Sequence, residues 1–277
     1  MKELFGFDAF SPQQIAERIE NSGVAKSKLP ILSLLMLGIL AGAFIGLGAM
    51  FFTIVNSDNT IPFGINRVLG GLVFSLGLIL VVVAGAELFT GNNLLIMAYA
   101  DGKITLADVL KNWILVCFAN FIGAAGIAVI VYLSNHPQMN QGGIAAKYLQ
   151  IAEAKCSLSF QHAFFSGMLC NVLVCLAVWM AQAGRSIIDK AIVIIFPVTA
   201  FVAAGFEHSI ANMYFIPMGL LLKSHNSISY EAISLSGLFN NLGPVILGNL
   251  TGGSLFVGLF YYVIYGRTKS EIKGKDL

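Results

Sequence analysis

Long apolar stretches alternate with short polar ones along this chain. A bilayer's hydrocarbon core takes about 20 apolar residues of helix. Six windows reach or approach that length, at about 30–55, 68–86, 112–134, 160–183, 193–222 and 244–265. Two of them are interrupted. The second breaks at Glu87–Asn93 and leaves an apolar half-helix, Leu94 to Ala100. The fifth breaks at Gly205-Phe206-Glu207-His208-Ser209 and resumes as Ile210 to Leu222. A charged side chain at that depth costs about 2.5–3.5 kcal/mol on insertion scales, and a broken span is stable only where protein or water satisfies its backbone. The breaks therefore predict a site at membrane depth, with His208 at its centre.

The interruptions repeat. Gly85, Glu87 and Asn92 have the same spacing as Gly205, Glu207 and Asn212, 120 positions later. Asn112, Asn120 and Gly123 recur as Asn241, Asn249 and Gly252, offset by 129. Two halves with matching broken helices are a signature of transporters and channels built from repeats. Three spans per half give the halves opposite orientations. The expected fold is all-α, with six transmembrane helices in two inverted three-helix repeats.

Charge orients it. Twelve Lys and Arg residues fall on the side of the termini and only Arg67, Lys147, Lys155 and Lys223 on the other, so the positive-inside rule places both termini in the cytoplasm. The expected organisation is an N-terminal amphipathic helix within 1–28, a channel domain at 29–266 and a tail at 267–277. Ser11, Pro12 and Gln14 form a helix start with a capping box, and Ile15 and Ile19 give that helix one apolar face. It docks as a terminal helix, lies on the membrane or plugs a pore mouth. Gly38, Gly42 and Gly46 make overlapping GxxxG motifs, which serve close packing within or between subunits.

Composition narrows the function. The chain is 57% hydrophobic and only 11% charged, with net charge +2, so nothing points to nucleic acid. The four cysteines form no CxxC and read as small buried hydrophobes. A membrane redox enzyme needs paired histidines or clustered metal ligands. His136, His162, His208 and His225 are scattered instead, so no metal or cofactor is expected. His136, His162 and His225 read as solvated or interfacial.

Several stretches resemble the formate/nitrite transporter family, and the resemblance covers essentially the whole chain: Gly205–Met213, Glu87–Thr90, Ser75–Leu80, Gly184–Lys190 and Asn171–Met180. It implies an aquaporin-like arrangement and a homopentamer with one pore per subunit. Such a protein passes small monovalent anions across a bacterial inner membrane. By motif, His208 and Thr90 face each other across the pore, Asn171 lies near the histidine, and Lys155 is a vestibule lysine at the outer end of the fourth helix. Leu78, Leu88 and Phe89 match the cytoplasmic constriction; Phe74, Phe201 and Phe206 match the outer one. Gly91 stands where a serine is expected in formate channels proper. Formate leads as substrate, with nitrite and hydrosulfide as alternatives.

An anion meets a large desolvation cost at an apolar ring, and protonation removes most of it. Lys155 is expected to draw the anion in and Thr90 with His208 to bind it. A proton, passed by His208 or by water, then neutralises it. Glu87 and Glu207, beside Asn92 and Asn212, are expected to accept hydrogen bonds from backbone N–H groups freed at the breaks. The remaining free N–H groups would favour the anion.

Overall fold

The structure, a computed structural model, describes residues 9–223 and 230–266. His225 and the tail expected at 267–277 lie outside these residues. Among the described residues six helices are long and apolar enough to cross a membrane, and there is no β-strand.

Helix α1 (Pro12–Ser27) opens with the expected capping box between Ser11 and Gln14. It is docked rather than free. Ile15, Ala16 and Ile19 are buried beside Trp179 and Val257, and Gly23 meets Ala98 closely enough that an added Cβ would come within 2.9 Å of its methyl. Lys103 holds the helix from outside, pairing with Glu20 and, at 2.7 Å, with Asp101. Burial pulls the Lys103 ammonium down, but the two carboxylates outweigh it and its pKa is raised.

The first half continues with α2 (Ile31–Asn56) and α3 (Phe63–Leu80), which ends in a π-helical turn, Val81–Gly85. After the break come a short 3-10 turn, Gly91–Leu94, then α4 (Leu95–Ala100) and α5 (Leu106–Leu133). The second half repeats this order with α6 (Gly143–Cys156), α7 (Phe160–Ala181), α8 (Ile187–Ala204), α9 (Ser209–Lys223) and α10 (Leu235–Leu250). The last helix runs on through π-helical turns to Gly266.

The hydropathy windows start late at four spans. The second begins at Phe63 rather than 68, the third at Leu106 rather than 112, the fifth at Ile187 rather than 193 and the sixth at Leu235 rather than 244. Each missing segment is a polar first turn or turns. Thr105 with Asp108 and Ser186 with Asp189 form capping boxes, and Ser234 caps α10. Capping favours polar residues where an apolar window ends. Helix α6 carries no apolar window, so it was not expected as a separate element. It is the counterpart of α1: each is a short helix ahead of the first span of its half.

The glycine motif packs inside the subunit. A Cβ at Gly38 or Gly42 would run into Ala119 or the Asn120 carbonyl of α5, and one at Gly48 would reach the Phe74 carbonyl of α3 at 2.7 Å. Gly248 and Gly252 of the last span press in the same way on Phe164 and Met168 of α7. In both halves the outer spans thus close on each other, and α3 packs against α8 where the halves meet.

Candidate functional site

The two breaks are built by the same set of side chains. In the first, Asn120 of α5 accepts from the Phe89 N–H at 2.9 Å and donates to the Gly38 and Glu87 carbonyls. In the second, Asn249 of α10 accepts from the Ser209 N–H at 3.0 Å and donates to the Gly167 and Glu207 carbonyls. A single buried amide thus satisfies backbone that the missing helix turn leaves without partners.

The carboxylates do other work than expected. Glu87 accepts from Lys26 and from Asn92, whose amide also donates to Asn112. Glu207 accepts from Lys155 at 2.8 Å and from Asn212 and Asn241. Both glutamates accept from side chains, while the freed N–H groups go to Asn120, Asn249 and Ser166. Stabilising an anion with those N–H groups is therefore not what the breaks offer at Phe89, Glu207 or Ser209. Lys155 also stands elsewhere than expected, in the last turn of α6 and not on the fourth span. Its counterpart Lys26 lies 129 positions earlier, the same offset as the asparagines, and that signal was legible though unused.

The repeat fails at the centre. Leu88 occupies the position equivalent to His208, and Ile210 that equivalent to Thr90. The chain therefore places one hydroxyl and one imidazole where strict symmetry would give two of each. Thr90 Oγ1 lies 3.1 Å from His208 Nε2, with Thr90 fully buried and His208 nearly so. The Ala211 N–H donates to His208 Nδ1 at 3.1 Å, so that nitrogen is an acceptor. The neutral ring then carries its proton on Nε2 and donates to Thr90, leaving the threonine hydroxyl proton free to turn toward a ligand. A second ring proton would have to displace the Ala211 bond. Phe201 stacks on the imidazole, with ring centroids 5.9 Å apart.

Asn171 stands behind Thr90, the residue that contacts His208. Its amide donates to the Thr90 carbonyl, to Asn93 and to the Asn249 carbonyl, and the Cys175 thiol donates to the same Thr90 carbonyl at 3.3 Å. These groups fix the threonine's backbone.

A vestibule opens on either side. The one on the α1 side, about 440 Å³, is lined by Leu78, Leu88, Glu87, Lys26 and Gly91 among others. The one on the α6 side, about 350 Å³, is lined by Phe74, Phe201, Phe206, His208, Lys155 and Glu207. Phe52, Phe215 and Arg67 join it, three residues the sequence did not single out. Phe89 lies in the packed core rather than on the wall of either cavity. Phe74 and Leu78 line opposite vestibules from adjacent turns of α3.

The other two described histidines play no part here. His162 is exposed, as expected. His136 is not solvated: it packs on the Tyr148 ring, both its nitrogens are shielded, and burial pushes its pKa down.

A family model described as "Formate/nitrite transporter" matches residues 13–263. The formate channel FocA of Escherichia coli (strain K12) is 42% identical over 280 residues, covering 96% of this chain and 98% of that protein. Among solved structures, a pentameric formate channel with formate bound is 40% identical with a TM-score of 0.78, covering 85% of this chain and 97% of that one. An ion channel of the same family is 28% identical with a TM-score of 0.82, covering 91% and 98%.

Proposed function

Because this chain belongs to the formate/nitrite transporter family, we propose that it is a formate channel, conducting through a pore in each subunit of a homopentamer. The pore runs from one vestibule to the other past the Thr90–His208 pair. The protein sits in a bacterial inner membrane with both termini, and hence α1, on the cytoplasmic side. The similarity to formate channels over nearly the full length of both chains supports this reading. The observation that carries it is the buried Thr90 Oγ1···His208 Nε2 contact between two open cavities.

The geometry suits passage of a neutral acid. Formate enters a vestibule as the anion, near Lys155 on one side or Lys26 on the other. The buried apolar side chains Phe74, Leu78, Leu88 and Phe201 bar a bare anion, whose loss of hydration is not compensated there. A proton taken up from vestibule water converts formate to formic acid. The acid crosses while accepting from His208 Nε2–H and exchanging hydrogen bonds with the Thr90 hydroxyl, then releases its proton on the far side. His208 stays neutral and acts as donor and guide. The net movement is one formate with one proton.

Nitrite and hydrosulfide are also small anions of weak acids, so the test runs all three. Purified protein in liposomes is assayed for flux of each at about pH 7.5 and about pH 5.5, spanning the usual histidine range. The expected result is formate moving fastest and faster at the lower pH, in step with the population of the acid. Nitrite or hydrosulfide outrunning formate would replace the substrate. No anion exceeding the leak of empty liposomes would overturn the function.

A further inference from the structure

Among the described residues that line them, the two vestibules are near copies in every charged group but one. Each holds a lysine paired with a glutamate, Lys26 with Glu87 and Lys155 with Glu207, so each pair is close to neutral as a unit. The α6-side vestibule holds a further cation, Arg67, at the start of α3. The position 120 residues later in the other half is Ile187, and among the described residues lining the α1-side vestibule there is no equivalent cation. Lys147 of α6, which is not among the lining residues, also feels the Arg67 charge.

Arg67 is held at the second break. Its Nε donates to the Ala203 carbonyl and one terminal nitrogen to the Val202 carbonyl, each at 2.9 Å, which covers the last turn of α8. The carbonyl end of a helix carries partial negative charge and repels anions. Gly205 makes room for this arrangement: a Cβ there would lie 2.8 Å from the guanidinium, whereas one at the equivalent Gly85 would meet nothing within 4 Å. Two of the five guanidinium N–H groups are used in these bonds, and Arg67 lines the cavity.

We propose that Arg67, which pairs with no carboxylate among the described residues lining the α6-side vestibule, gathers anions there beside Lys155, forming an entry subsite for small monovalent oxyanions. The guanidinium offsets the helix-end carbonyls and leaves a net positive wall some way outside the histidine. Arg67 thereby makes occupancy asymmetric: an anion is held more tightly in the α6-side vestibule than in the α1-side one, while passage through the centre is shared. This inference rests on the anion-channel reading above.

The test uses the full-length protein in right-side-out and inside-out membrane vesicles from a host lacking its own formate channels. Initial formate flux is measured against concentration at low and at high salt. Steering by a fixed charge changes capture by tenfold or more in favourable cases and is screened by salt. Arg67→Gln is expected to raise the half-saturating formate concentration from the α6 side by about 5-fold at low salt and under about 2-fold at high salt. Maximal flux from the α6 side stays as in wild type. As a passive pore requires, the ratio of maximal flux to half-saturating concentration falls by the same factor from the α1 side. Arg67→Lys keeps the charge but loses the two-carbonyl fork, and is expected to stay within about 2-fold of wild type.

Equal losses in the Gln and Lys variants, unchanged by salt and with lowered maximal flux from the α6 side, would overturn the inference and leave Arg67 as a helix cap. So would an Arg67→Gln channel identical to wild type. If Arg67→Gln does not assemble, Arg67→Cys is labelled with a cationic or an anionic methanethiosulfonate, with wild type treated in parallel. Restoration by both labels alike contradicts the inference, and restoration by the cationic label alone supports it. Absence of any formate flux in wild type would instead sink the channel reading itself.

Discussion

Replacing Asn249 by alanine removes the group that satisfies the second break. Three hydrogen bonds go, but their costs differ. The Gly167 carbonyl lies within α7 and keeps its place in that helix, whereas the Ser209 N–H and the Glu207 carbonyl lie at the break and lose a buried partner. An interhelical hydrogen bond in a membrane protein is worth about 0.6 kcal/mol on average, so three ordinary ones amount to about 2 kcal/mol. A buried backbone group left unsatisfied costs about 1–3 kcal/mol, which puts two of them at about 2–6 kcal/mol. The expected destabilisation of Asn249→Ala is therefore about 3–6 kcal/mol, and Asn120→Ala should match it because its partners are equivalent. Unfolding of the purified protein in mixed micelles, followed by intrinsic fluorescence, measures this. Thr251→Val, which removes one more exposed bond to Leu247, serves as control and should shift stability by under about 0.5 kcal/mol. Both asparagine variants falling within about 1 kcal/mol of wild type would refute the reasoning, since the break would then have other partners.

Two more outcomes follow from the packing. Gly42→Ala drives a methyl into the Asn120 and Ala124 backbone of α5, which cannot move as a side chain can, and should cost at least about 1–3 kcal/mol by the same unfolding assay; Gly126→Ala, at a glycine with open space, should cost far less. Docking of α1 through Lys103 should hold from about pH 6 to about pH 9: the raised pKa means that this stabilisation is complete below the ordinary lysine value and is lost only as pH climbs past it. Protease cleavage within α1 at these pH values reads this out, and a steep rise in cleavage by pH 9 would contradict it.

The spans and breaks were legible because hydropathy and repetition are properties of the sequence itself. Charge-free windows found all six spans, and Glu87, Glu207 and the asparagines marked the breaks. Helix starts were less visible, since Asp108 and Asp189 cap helices whose first turns are too polar for any window. Helix α6 was lost for the same reason, and with it the placement of Lys155. Pairing was the least legible feature. Side-chain partners for Glu87 and Glu207 depend on α1 and α6 reaching back across the fold, a tertiary contact without local pattern. Arg67 read only as one more basic residue on the less charged side, because its partners, Val202 and Ala203, offer carbonyls and no charge.

The central claim is that anions cross at the Thr90–His208 pair with the histidine neutral. Formate flux in proteoliposomes tests it most directly, comparing wild type with His208→Leu, His208→Asn and Thr90→Val across about pH 5.5 to about pH 7.5. His208→Leu places at the second break what Leu88 supplies at the first, and with Thr90→Val it should reduce flux to the leak of empty liposomes. His208→Asn keeps a neutral N–H donor and should retain measurable flux with the wild-type pH dependence. Wild-type flux in the leucine and valine variants would show that the pore lies elsewhere, and a pH dependence abolished in His208→Asn would show that the imidazole itself titrates.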